Sequence, residues 1–161
     1  MRNKIIRAST IGASLNTFCF GLLSELKEKG YHVIALSSPD NSLAALGARE
    51  EVRTIGVPME RHIAPLKDFI SLIRLIRLFL KEKPDMVHSM TPKAGLLCMM
   101  ASWFARVPIR VHTFTGLVFP TAKGLTKKVL MATDWLTCAC ATHIIPEGQG
   151  VLNELNDNGI T

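Results

Sequence analysis

Aromatic residues make up only 6% of the 161 positions, with a single Tyr. That scarcity leaves no stacking platform for single strands and no RNP-like motif, and no C2H2 pattern is present, so no specific nucleic-acid partner is expected. A G-x-G-x-x-G fingerprint is also missing, because the first candidate phosphate loop holds one glycine, Gly12, followed by Ala13 and Ser14. This argues against a nicotinamide or flavin dinucleotide, and no cofactor is expected. The P-loop signature is absent too, since Gly124 is followed by Leu125. Cys19, Cys98, Cys138 and Cys140 form no C-x-x-C pair and have no histidines at zinc-finger spacing, which predicts reduced core thiols and no metal site. The longest uncharged apolar stretch, Ala94 to Ala105, is closed by Arg106 and Pro108 and is too short to span a bilayer, which takes about 20 residues. At the N-terminus, Ser9, Thr10, Ser14 and Asn16 interrupt the apolar region as no signal peptide would, so the segment is read as mature structure and the protein as cytoplasmic.

What is present describes one globular domain: 48% apolar residues, 20% charged, and a mean hydropathy of +0.24. The net charge of +6 favours anionic partners such as phosphorylated substrates or an anionic membrane face. Short apolar runs alternate with helical patterns, the signature of βα units around a parallel sheet. Strands are predicted at Lys4 to Ala8, Tyr31 to Leu36, Glu51 to Val57, Met86 to Ser89, Ile109 to Thr113 and Thr142 to Ile145. Helices are predicted at Leu15 to Lys29, Ser42 to Leu46, Pro65 to Glu82, a segment opened by Thr91 and Pro92 and closed before Pro108, Leu125 to Ala141, and Gly150 to Asn156. The fold class is therefore α/β, a doubly wound Rossmann-like sheet of about six parallel strands, with ligands expected beyond the carboxyl ends of the strands. The final helix-glycine-apolar pattern, Glu154 to Thr161, repeats that of Leu26 to Val33, as though a further element should follow.

On this scaffold the loops after the first, fourth and fifth strands carry the candidate chemistry. Gly12 and Ala13 would let a phosphate approach a helix N-terminus. Thr91 and Lys93 put a capping hydroxyl and an ammonium at another. His112, Thr113, Thr115 and Gly116 end the fifth strand, where an imidazole can meet a sugar hydroxyl or a diphosphate; the residue types alone leave a half-buried structural histidine as the more common outcome. On the long helix Lys67, Arg74, Arg77 and Lys81 fall in one basic stripe, suited to an anionic membrane surface or simply to solvent.

Three segments together, Asp85-Met-Val-His-Ser-Met-Thr-Pro-Lys-Ala-Gly95, Pro108-Ile-Arg-Val-His-Thr-Phe-Thr-Gly-Leu-Val-Phe119 and Ile144-Ile-Pro-Glu-Gly148, resemble the N-terminal domain of family 4 glycosyltransferases, especially those of bacterial capsule and lipopolysaccharide synthesis. The resemblance spans essentially the whole chain. It implies one half of a GT-B fold, an acceptor-binding domain over residues 1–161, whose nucleotide-sugar domain lies outside this chain. It further implies retaining transfer from a nucleotide diphosphate sugar, UDP-linked, without a required metal. The implied acceptor is polyprenyl-diphosphate-linked, at the inner face of the cell membrane, and the 161 residues alone should be inactive. His112 becomes the implied catalytic residue, facing donor sugar and diphosphate. Gly12 and Ala13 would lie beside the donor phosphate, Thr91 and Lys93 near the acceptor, and Glu147 at the interdomain face. The alternative is a stand-alone module that binds a phosphorylated ligand or an anionic membrane without catalysis.

Overall fold

The computed structural model describes residues 3–161. Six strands, β1 (Lys4–Ala8), β2 (His32–Ser37), β3 (Arg53–Gly56), β4 (Met86–Met90), β5 (Ile109–Phe114) and β6 (His143–Pro146), form one parallel sheet in the order β3-β2-β1-β4-β5-β6. The chain winds outward from β1 in one direction and from β4 in the other. The order thus reverses between β1 and β4, where the crevice of a doubly wound sheet opens.

Among the described residues seven α-helices cover the sheet: α1 (Gly12–Phe18), α2 (Leu22–Glu28), α3 (Asn41–Glu50), α4 (Pro65–Glu82), α5 (Pro92–Phe104), α6 (Gly124–Cys140) and α7 (Gln149–Asp157). Leu15, Cys19, Leu23, Leu43 and Leu46 pack with Val33 and Ala35 into one core. On the other face Leu75 and Phe79 of α4 and Ala94, Leu97, Cys98 and Ala101 of α5 bury Ile6, Ala8, Ile34, Leu36 and Val87. Each large apolar side chain removed from water here contributes about 1.5–3 kcal/mol. In α4 the buried positions Ser71, Leu75, Phe79 and Glu82 recur every three or four residues, leaving Lys67, Arg74, Arg77 and Lys81 exposed. All four cysteines are free, and Cys19, Cys98 and Cys140 are buried, as their apolar neighbours predicted.

The predicted helix Leu15 to Lys29 is in fact two, and it begins earlier, at Gly12. The break falls at Gly21, which adopts φ 72°. A buried carboxylate enforces it: Glu50, at the end of α3, accepts hydrogen bonds from the Gly21 amide at 3.0 Å and the Ser24 amide at 3.1 Å. Burial acts to raise the Glu50 pKa, but those two amides, Arg49 and the Ser24 hydroxyl outweigh it and hold the carboxyl at about 2. The second helix stops at Gly30 as expected, with Tyr31 and Gly30 donating back to Leu26 and Lys27. Ser42 to Leu46 is predicted short, whereas α3 spans Asn41–Glu50: Asp40 caps its start by accepting the Leu43 amide at 2.7 Å, and Glu50 is tied at its end to the Gly21 and Ser24 amides.

A candidate functional site at the strand carboxyl ends

The loops predicted to matter after β1 and β4 meet at the order reversal. Thr10, Ile11 and Ser14 line one side of a cavity of about 390 Å³, and Thr91, Pro92, Lys93 and Leu96 the other. The segment between β3 and α4 adds Arg61 and Ile63, α4 adds Asp68, and Val118, Val129, Leu130 and Thr133 close the far wall. Wider clefts exist, including one of about 540 Å³ lined by Lys4, His32, Val33 and Arg53, but that one opens at the amino ends of the strands. The crevice at the carboxyl ends has the location expected of a ligand site in this architecture.

Its floor is built by two threonines. Thr91 is β-branched yet sits at φ 70°, ψ 141°, a conformation costing on the order of 1–3 kcal/mol. Its hydroxyl does not cap α5, which corrects the sequence expectation. Instead it accepts the Thr10 amide at 3.0 Å and bonds the Thr10 hydroxyl at 2.9 Å. The Thr10 oxygen in turn accepts the Ala94 amide at 3.2 Å, so α5 is capped from β1's loop. This arrangement ties β1, β4 and α5 together beneath the cavity.

Lys93 does reach the pocket, but its ammonium is paired with the carboxylate of Asp68. Asp68 Oδ2 also accepts the Ala64 amide at 3.2 Å, while Oδ1 is buried without a hydrogen-bond partner in the structure. Sequence reasoning missed Asp68, Arg61 and Ile63. Asp68 was read only as part of the long helix, and pairing between residues 25 positions apart leaves no local signal.

The remaining predicted residues are placed differently. Gly12 is buried, its amide donating to Asp40 Oδ2 at 3.0 Å, and a Cβ there would lie 2.4 Å from both Asp40 Oδ1 and the Leu43 nitrogen. Gly12 therefore serves close packing of α1 on α3, and its N–H is not free for a phosphate. Ala13 is exposed beside it, outside the cavity lining.

His112 differs most. The resemblance implies an imidazole facing the donor sugar and diphosphate; the residue is 1% exposed, its ring lying against α5 at Gly95. Ser89 Oγ lies 2.9 Å from its Nδ1, and the Phe114 ring stands edge-on with centroids 4.5 Å apart. Burial lowers its pKa to about 4, so the ring is neutral at pH 7. Of the two readings left open by the residue types, this placement matches the structural histidine.

Thr113 projects to the opposite sheet face, its hydroxyl 2.8 Å from His88 Nε2. Burial, with the charge of Arg7 adding to it, lowers the His88 pKa to about 3. Thr115 is half-buried, while Gly116 at φ 146° and Glu147 are exposed on the rim, the Glu147 amide bonding the Phe114 carbonyl at 3.1 Å.

A family model described as "Glycosyl transferase 4-like domain" matches residues 15–160. The capsular polysaccharide biosynthesis glycosyltransferase CapM of Staphylococcus aureus is 35% identical over 156 residues, which are 96% of this chain and 40% of that protein. The UDP-Gal:alpha-D-GlcNAc-diphosphoundecaprenol alpha-1,3-galactosyltransferase of Escherichia coli is 39% identical over 100 residues, 60% of this chain and 25% of that enzyme. The chain thus spans well under half the length of these relatives. Among solved structures, Anabaena HepE in complex with UDP superposes over 97% of this chain and 41% of its own with a TM-score of 0.70 at 16% identity, which establishes the shared fold. With a family model covering nearly its whole length, the chain belongs to the glycosyl transferase 4-like domain family.

Proposed function

We propose that the chain is the acceptor-side lobe of a glycosyltransferase of bacterial surface polysaccharide synthesis, and that the 390 Å³ pocket at the carboxyl ends of β1 and β4 receives the acceptor. The position and chemistry of this pocket carry the reading. Its walls are largely apolar, from Ile11, Ile63, Leu96, Val118 and Val129, while Arg61 and the Asp68–Lys93 pair bring charge to the same space. Such a lining suits an amphipathic ligand, a sugar on a diphosphate carried by a prenyl chain. The name of the Escherichia coli relative specifies an acceptor and donor of this class, a diphosphoundecaprenol-linked sugar and UDP-Gal.

In this reading the donor is a UDP-linked sugar, bound by a nucleotide-sugar lobe outside the 161 residues, and the lobe described here is inactive without it. The exposed rim formed by Thr115, Gly116 and Glu147 would face that second lobe. His112 acts as a positioning residue. Its neutral ring fixes Ser89 and α5 at the end of β5, and through them the loops that hold the reacting groups. Transfer then rests on orientation and charge placement rather than on a nucleophile of this lobe.

The lobe sits on the inner membrane face through α4. Leu66, Phe69 and Ile70, exposed at 83%, 63% and 50%, flank the pocket-bearing end of a helix whose Arg74, Arg77 and Lys81 also face outward. Lys67 contributes less, since Glu60 pairs with it at 2.7 Å. Anionic headgroups would attract each near-surface cation by about 1 kcal/mol. The membrane would then lie beside the pocket mouth, where a prenyl chain must enter.

The test is turnover by the full-length protein with a panel of UDP-sugars and prenyl-diphosphate-linked acceptors. Transfer to a lipid-linked acceptor is expected; absence of transfer across the panel, with a folded protein, would overturn the reading.

A further inference from the structure

Charge is divided unevenly between the two halves of the molecule. Residues 65–140, which hold α4, α5 and α6, contain eleven lysines and arginines against four acids, whereas the rest of the chain holds eight against nine. The whole positive excess therefore lies in this segment, and none of its four acids is placed to balance it at the surface. Asp68 is paired with Lys93, Glu82 is buried against Lys4 and Arg53, Asp85 accepts the Lys4 amide at 2.9 Å, and Asp134 is buried. Among the described residues Arg74, Arg77, Lys81, Lys123, Lys127 and Lys128 form no ion pair. Large apolar side chains stand between these cations. α5 packs between α4 and α6, and Leu96, Met100 and Trp103, spaced by four and three, share the side that its core residues leave. The Phe104 ring stands edge-on to Trp103 with centroids 5.0 Å apart. On α6 the exposed residues Leu125, Lys128, Ala132 and Trp135 fall on one stripe. Trp103 and Trp135, the chain's two tryptophans, are 52% and 55% exposed.

We infer that the membrane contact extends from α4 across the outer face of all three helices, with Leu125, Trp103 and Trp135 entering the interfacial zone of an anionic bilayer while Arg106, Lys123 and Lys128 meet its headgroups. This rests on the membrane reading of α4 and replaces a one-helix contact by a three-helix one. Cations interleaved with exposed tryptophan, phenylalanine and leucine are what the boundary between headgroups and acyl chains accommodates. A second copy of the chain would instead set cations against cations, with no exposed acid on this face to pair with them. A nucleic-acid backbone would meet the cations and leave the apolar side chains in water. Each of the three helices joins two parallel strands, so all three run back along the sheet in the same direction. With this layer flat on the bilayer, the strands lie along the membrane plane, and the pocket at the first turns of α4 and α5 opens at the level of the lipid surface. A prenyl chain then reaches the pocket mouth while remaining in the lipid.

The experiment measures sedimentation of the full-length protein with vesicles of phosphatidylcholine, alone or mixed with phosphatidylglycerol, at low salt. The wild type should bind the mixed vesicles more tightly. Lys123→Gln, Lys127→Gln and Lys128→Gln combined should weaken that binding severalfold, and the same three positions changed to Arg should retain it. Trp103→Ala with Trp135→Ala should weaken binding to both kinds of vesicle. Brominated lipid should quench the part of the protein's fluorescence that Trp103→Phe and Trp135→Phe remove, a readout that conservative changes at exposed positions leave measurable in a folded protein. If the α6 lysines and both tryptophans are replaced without loss of affinity, while Arg74→Gln, Arg77→Gln and Lys81→Gln weaken it, the contact belongs to α4 alone; the inference falls and the membrane reading stands. A wild type that binds neither vesicle overturns both. Self-association without lipid that Trp103→Ala and Trp135→Ala abolish would assign the face to a second copy and overturn the inference.

Discussion

Replacing Gly95 by Ala should destabilise the protein, against the ordinary rule for a helical glycine. In the middle of a helix this change normally stabilises by roughly 1 kcal/mol through backbone entropy. Here the new methyl would lie 2.4 Å from His112 Cε1 and 2.8 Å from both ring nitrogens. The imidazole cannot swing aside, being 1% exposed and held by Ser89 Oγ at 2.9 Å and by the edge-on Phe114 ring. Relief requires shifting the ring or α5, an overpacking cost of about 1–3 kcal/mol. Losing the Ser89 contact adds on the order of 1 kcal/mol. Set against the entropic gain, the net effect should be a destabilisation of about 1–3 kcal/mol. His112→Ala alone should cost about 2–4 kcal/mol, as expected for emptying a buried ring-sized space. In that background the Gly95→Ala methyl points into the vacated volume, so it should stabilise by about 1 kcal/mol. Urea unfolding of the four proteins in this cycle should therefore give a coupling of about 2–4 kcal/mol, with Gly95→Ala changing sign between backgrounds. If Gly95→Ala stabilises both backgrounds equally, the ring does not lie under α5 and the packing described for it is wrong.

Other expectations follow from the same structure. His112 and His88 have pKa values depressed by burial to about 4 and about 3, so the unfolded chain takes up their protons first as pH falls below about 6.5. Stability should be highest near pH 7 and decline toward pH 4 by about 1.4 kcal/mol per pH unit per net proton. Asp134, raised by burial to about 6, binds its proton earlier in the folded state and offsets part of that decline below pH 6; an increase in stability on acidification from pH 7 to pH 5 would contradict these placements. Glu50→Gln, which replaces a carboxylate that takes both the Gly21 and the Ser24 amide, should cost about 1–3 kcal/mol by thermal or urea melting. It should also remove the stability otherwise lost between pH 4.5 and pH 2. Arg74→Gln, Arg77→Gln and Lys81→Gln combined should weaken binding to anionic vesicles severalfold at low salt and leave binding to neutral vesicles unaltered; equal affinity for anionic vesicles before and after would remove α4 from the membrane face.

The sheet was largely legible from sequence because a parallel strand is a local object, a short apolar run between turn signals. β1 and α4 lie within their predicted bounds, and the other strands differ by a residue or two at their ends. The broken helix was not legible. Glu50 reaches Gly21 across 29 positions, so the break depends on a tertiary contact rather than on the local pattern. The same limit governed the site. Loop positions followed from topology, which is why Thr91 and Lys93 line the cavity as expected. The direction of a side chain did not follow. His112 ends a strand as predicted, but the pleat turns its ring under α5, and the glycine that makes room for it stands 17 residues earlier, where it reads as an ordinary helical residue. Asp68 escaped notice because its partner Lys93 stands 25 positions away on another helix.

The claim on which the account turns is that the pocket between the β1 and β4 loops takes a lipid-linked sugar. Photocrosslinking of the full-length protein with a diazirine-bearing prenyl-diphosphate sugar, followed by peptide mapping, tests it directly. Adducts should fall on the segments containing Ile63, Leu96 and Val129, and unlabelled ligand should compete them away. Competable labelling confined to other surfaces, with these three segments unlabelled, would contradict it.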